Sequence, residues 1–138
     1  MAARTSTGLK NYSLDSGAGS AFDTSGRINV YTGAQPATAD TAASGTLLGT
    51  LTLSADAFAV AASGAMAINA VTSDTNADAT GTAGYVRFFR TVDGAPSLAG
   101  AVGDRRLDLL VGTDIAIDNA SVVAGGTIGL SAYSLTCA

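Results

Sequence analysis

GRINVYTGAQPATADTAASGTLLGTLTL, residues 26–53, carries two short runs of alternating side chains joined by a loop of small residues. Near its start Ile28 and Val30 project to one side of an extended chain, and Asn29 and Tyr31 to the other. Near its end Leu47, Leu51 and Leu53 line one face, with Gly49 between them, while Thr50 and Thr52 line the other. Apolar residues at period two predict two half-buried strands. Between them lies a loop of small residues, 33–45, with one fixed kink. Pro36 restrains its own φ and pushes Gln35 toward extended geometry. The loop is therefore expected to be ordered, packed on the domain or on a neighbouring subunit, with Asp40 capping a turn.

The same pattern recurs downstream. Met66 and Ile68 alternate. Residues 72–82 are rich in Asp, Thr, Ala and Gly and read as a long loop without core residues. Residues 85–90 then present two apolar faces, Tyr85/Arg87/Phe89 and Val86/Phe88/Arg90, which means either a central, covered strand or a contact surface. Asp93-Gly94 marks a turn. Leu107, Leu109 and Val111 alternate, Gly112-Thr113 suits a two-residue turn, and Ile115 and Ile117 alternate back. Ala124-Gly125-Gly126 turns into a final strand over 127–136.

Seven to eight short strands with frequent turns predict an all-β, antiparallel β-sandwich or jelly roll. No amphipathic helix of 10–15 residues separates the strands, which disfavours a parallel sheet. The expected core is Ile28, Val30, Leu51, Leu53, Ile68, Val86, Phe88, Leu107, Leu109, Ile115, Ile117 and Leu130. Residues 1–13 read as an N-terminal arm on a single domain, 14–138. A short helix is expected over 8–15, where Leu9, Tyr12 and Ser13 share a face. Gly17 and Gly19 disfavour its continuation, so 16–25 reads as a loop.

Composition agrees with this architecture. All the acidic residues are Asp; Glu, a helix former, is absent, and Thr and Asp suit strands and turns. A net charge of −4 with scattered cations argues against nucleic acid as a partner. The single cysteine, Cys137, cannot close an intrachain disulfide, so no oxidising compartment is implied. No run approaches the ~20 apolar residues that span a bilayer, and no apolar stretch follows the early Arg4, so neither a membrane partner nor a signal peptide is expected.

The chemistry available is narrow. Without His there is no imidazole base, no Ser-His-Asp or Cys-His arrangement, and no imidazole metal ligand. Carboxylate pairs must be Asp–Asp. Asp74/Asp78 lacks calcium-loop spacing and reads as turn caps. Asp114/Asp118 alternates outward on a strand edge. The glycine pairs near 17–19 and 125–126 lack the lysine of a phosphate loop and read as turns. Arg87 and Arg90 beside Phe88 and Phe89 fit stems lying over aromatics or pairing with Asp better than base stacking. No catalytic, cofactor or metal site is expected.

Arg4-Thr5-Ser6-Thr7-Gly8-Leu9, the motif Tyr31-Thr32-Gly33-Ala34-Gln35-Pro36-Ala37-Thr38-Ala39-Asp40 and the following Gly45-Thr46-Leu47-Leu48 resemble a family of small virion-associated proteins of tailed bacteriophages. The runs 72–83 and 122–127 extend the likeness more loosely. The resemblance implies a non-enzymatic virion structural protein, most concretely a capsid decoration or cement protein. Such a protein is made in the host cytoplasm, binds the major capsid protein or other virion proteins, and is expected to be a homo-oligomer. A tail or head–tail connector component is the alternative within the virion; a glycan-binding β-sandwich adhesin is the alternative outside that class. Candidate interaction residues are Arg4, Leu9, Lys10 and Tyr12 in the arm, Tyr31, Gln35 and Pro36 in the motif, and Tyr85, Arg87 and Phe89 in the aromatic run.

Overall fold

Alternation at both ends of 26–53 folds as two paired strands in the computed structural model, which describes residues 6, 8, 9, 16, 17, 19–101 and 104–136. β1 (Gly26–Thr32) pairs antiparallel with β2 (Leu47–Leu53). After β2 come β3 (Ala65–Ala67) and the two-residue β4 (Val71–Thr72), then the long β5 (Gly81–Arg90). β6 (Leu107–Leu110), β7 (Ser121–Val122) and β8 (Ser134–Thr136) complete the chain. The fold is all-β, with eight strands among the described residues. A six-stranded sheet runs β4-β2-β1-β5-β6, with β7 also on β5, and β3 pairs with β8 in a second, two-stranded sheet. All these pairings are antiparallel. Among the described residues no helix is long and apolar enough to cross a membrane.

One face of the main sheet carries the core. Ile28 stands opposite Phe88 and Val30 opposite Val86. The small sheet and the bridged segments around it cover that face: Met66 of β3, Phe58, Ile128 and Leu130 are buried in one cluster with Phe88. Phe58 and Tyr133 pack on the Phe88 ring, with centroids 6.4 and 6.0 Å away. Nine of the twelve expected core residues are buried here, while Ile68, Leu107 and Ile117 are only partly so.

Two bulges interrupt the alternation, and the first moves a side chain from its expected place. Val30 faces Gly49 but Tyr31 faces Leu47, so Leu48 is the extra residue. The bulge turns Leu48 into the core, where it is fully buried, and leaves Leu47 half-buried, reversing the expected assignment. Likewise Tyr31 faces Tyr85 but Thr32 faces Ala83, which leaves Gly84 unpaired and turns Ala83 inward. Only glycine fits at that bulge, because a Cβ on Gly84 would lie 1.9 Å from the carbonyl oxygen of Gly33.

Three further expectations are corrected. Residues 72–82 are not free of core: Ala77 is buried, and the segment is tied by bonds from Asp78 N to Leu48 O and between Asp74 and Ile128. The chain after β6 does not return as a strand. It makes a tight turn in which the amides of Asp114 and Ile115 both bond the Leu110 carbonyl, and Ile115 reaches the core from there. The expected strand over 127–136 is realised only as a bridge at Ile128 and as β8.

Candidate functional site

The second face of the main sheet gathers buried polar groups, because β5 has large side chains on both sides. Register places Asn29 opposite Arg87 and Tyr31 opposite Tyr85, and β6 sets Asp108 beside Arg87. The Tyr31 and Tyr85 rings stack with centroids 5.1 Å apart. The Thr50 hydroxyl donates to Asn29 Oδ1 at 2.7 Å, and Asn29 Nδ2 donates to Tyr31 Oη at 2.9 Å. Arg87 has no solvent-accessible surface. Its Nε and Nη2 grip both oxygens of Asp108 at 2.7 and 2.8 Å, a bidentate pair. Its Nη1 donates to the carbonyls of Thr41, at 2.8 Å, and Pro96, at 3.2 Å. The hydrogen bond to Asp108 holds the Arg87 pKa above its ordinary value against the opposing effect of burial. Burial raises the Tyr31 pKa, and the bond from Asn29 offsets part of that rise.

Two loops close over this face. In 33–45, the amide of Ser44 donates to Tyr85 Oη at 2.9 Å, and the same hydroxyl donates to the Ser44 carbonyl at 2.8 Å. In 91–101, Pro96 O accepts from Ala43 N and Gly100 N donates to Asp40 O, so the loops bond each other directly. Arg106 steadies the second loop through the carbonyls of Leu98, Ala95 and Gly94 at 2.9, 3.1 and 3.3 Å. Arg90 forks onto Asp93, whose carboxylate also accepts the amide of Arg105. The Arg90 bond is the main cause of an Asp93 pKa below the ordinary carboxylate value. The loop 33–45 thus packs on the domain as expected, although Asp40 contributes through its carbonyl.

The sequence candidates fall into three groups. Tyr31, Tyr85, Arg87 and Phe89 are buried by the domain itself, so the covered-strand reading of 85–90 holds and the contact-surface reading gives way. Gln35 is exposed, Pro36 half-buried and Leu9 exposed, all open to a partner. Arg4, Lys10 and Tyr12, with most of the expected arm and helix, lie outside the described residues. Missed by sequence reasoning were Asp108, Thr41 and Arg106. Asp108 carried a usable signal, a lone charge inside the apolar run 107–110. Thr41 acts through its main chain, which no side-chain pattern reports.

Of the aspartates singled out earlier, Asp74 and Asp114 serve the backbone and Asp118 a side chain. Asp74 accepts from the amides of Thr50 and Asn76, Asp114 from the amide of Leu110, and Asp118 from the Ser131 hydroxyl. Among the described residues no three Cys or Asp side chains are grouped to hold a metal ion. A cleft of about 390 Å³ lies between Phe22, Leu107 and Leu135, rimmed by Asp104, Arg105 and Arg106. No protein-family model, curated protein or solved structure matches the chain.

Proposed function

We propose that this chain is a non-enzymatic structural protein of a tailed-bacteriophage virion, a decoration or cement protein seated in many symmetric copies on the major capsid shell. The observation that carries the reading is how the domain spends its charge. Asp23, Asp74, Asp93, Asp104, Asp108, Asp114 and Asp118 each accept a bond from the domain's own amides or side chains. Arg27, Arg87, Arg90, Arg105 and Arg106 each donate to its own carbonyls or carboxylates. Charges tied up in bonds within the domain stiffen it, which suits a building element better than a reactive surface. The resemblance of the segment 26–53 to virion proteins supports the same reading, since that segment forms β1, β2 and the strap between them.

Attachment follows from repetition. A standard interface takes ~800 Å² per partner, roughly a tenth of a small protein's surface. Copies on a symmetric lattice turn modest contacts into firm binding through effective concentration. The exposed large apolar side chains among the described residues are aliphatic: Leu9, Val60, Val92, Leu98 and Val123. They suit protein contacts, whereas a sugar platform uses exposed aromatic rings, and Tyr31 and Tyr85 are buried. Arg4, Lys10 and Tyr12 supply the arm's cations and aromatic anchor for an acidic shell surface.

The test is binding of the purified chain to undecorated capsids of the phage that encodes it, followed by density-gradient banding. The full chain is expected to co-band at saturable, symmetric stoichiometry, and a form lacking residues 2–12 to lose at least tenfold in occupancy. A full chain that stays unbound, and is absent from banded native particles, overturns the proposal.

A further inference from the structure

The two loops over the second face are held by three kinds of bond: to the sheet, to each other, and within themselves. The strap, 33–45, reaches the sheet through Ser44 on Tyr85 and through Thr41 on Arg87. The loop 91–101 reaches it through Pro96, on the same Arg87 nitrogen that Thr41 uses. The loops then bond each other twice, Ala43 N to Pro96 O at 2.9 Å and Gly100 N to Asp40 O at 2.6 Å. At both ends of the strap the backbone turns through a glycine in the left-handed region, Gly33 at φ 79° and Gly45 at φ 78°. Just outside those glycines, Thr32 N bonds Thr46 O and Thr46 N bonds the Thr32 hydroxyl, closing the strap's base independently of its tip.

We propose that the strap and the loop 91–101 form a single clasp that opens and closes as one unit, with the buried guanidinium of Arg87 as the shared bolt. The two inter-loop bonds, Ala43 N to Pro96 O and Gly100 N to Asp40 O, make one loop move with the other, and Arg87 Nη1 seats a carbonyl of each on the same buried group. The closed strap base and the extended sheet beneath keep this opening separate from global unfolding, as a sub-global unit of the native state. The consequence is a built-in coupling across the surface. A partner that grips the strap at Gln35 or Pro36 also orders the segment bearing Val92 and Leu98, and by reciprocity a partner on that segment orders the strap. This inference rests on geometry alone and stands whether or not the domain sits on a capsid.

The test perturbs one loop and reads the other. Tyr85→Phe removes the hydroxyl that bonds only Ser44, on the strap, and keeps the ring. Amide exchange and relaxation dispersion by NMR are then measured on the full chain. Exchange at Ser44 and Ala43 is expected to accelerate at least tenfold, with a similar factor at Leu98, whose amide bonds Ala95 within the other loop. Residues of both loops are expected to share one dispersion rate, while the amides of Ile28, Val30 and Phe88 keep wild-type protection. The reverse variant, Arg106→Gln, releases carbonyls in 94–98 and the Asp104 carboxylate, none of them in the strap, and is expected to accelerate Ser44. Effects confined to the perturbed loop, separate dispersion rates, or no acceleration in either variant would each overturn the proposal.

Discussion

Replacing Arg87 with Met keeps the length and the apolar stem but removes the guanidinium. Two losses follow from the geometry. Asp108, whose side chain is only 6% exposed, loses the cation that met both its oxygens at 2.7 and 2.8 Å. Thr41 O loses its donor, whereas Pro96 O keeps the Ala43 amide. Removing one partner of a buried ion pair leaves an uncompensated charge and costs about 3–5 kcal/mol. A domain of this size has about 5–15 kcal/mol in total, so Arg87→Met is expected to remove roughly a fifth of it or more. The double variant Arg87→Met/Asp108→Leu discards the orphaned carboxylate too. It is expected to cost only about 1–2 kcal/mol, close to one unsatisfied carbonyl. The assay is urea denaturation at pH 7 followed by circular dichroism, with unchanged m-values confirming a pure stability effect. The reasoning is refuted if the single variant loses less than about 1 kcal/mol, or if the double variant is no more stable than the single.

Gly84→Ala is expected to cost about 2–3 kcal/mol by the same assay, because the new methyl meets the Gly33 backbone, which cannot swing aside as a side chain would; a neutral result would remove the bulge from the account. Phe58→Ala is expected to cost about 3–5 kcal/mol, since the ring is 4% exposed and packs on Phe88 and Tyr133. Burial raises the pKa of Tyr31 and of Tyr133, so both are expected to ionise above the ordinary tyrosine value of 10.0 in an ultraviolet titration. A raised folded pKa contributes stability that is present below the unfolded value and lost as the pH climbs through the folded one, so unfolding should set in above pH 10, and tyrosines titrating together at the ordinary value would contradict it.

The sequence was legible where strands are long and their side chains alternate. β1, β2 and β5 follow from Ile28/Val30, Leu51/Leu53 and Val86/Phe88. It misled at one inserted residue: Leu48 shifts the parity within 47–53, and nothing in the local pattern marks that bulge. The second layer was poorly legible for another reason. It is assembled from isolated bridges, such as Phe58 with Ile68 and Asp74 with Ile128, whose partners are chosen by the core rather than by a run of residues. In the candidate site, two apolar faces at 85–90 left open a covered strand or a contact surface. Proximity of 33–45 and 91–101 decides between them, and that proximity is a tertiary fact. The ordered, close-packed character of 33–45 was readable from Pro36 and the run of small side chains.

The central structural claim is that Arg87 sits as a charged, water-excluded bolt between Asp108 and the two loops. NMR of the Arg87 Nε–H group at pH 7 tests it most directly. A resolved, slowly exchanging signal with a through-bond coupling to the Asp108 carboxylate is expected, both persisting in the wild-type chain across neutral pH. An Arg87 guanidinium whose protons exchange as fast as those of a solvent-exposed arginine would contradict it.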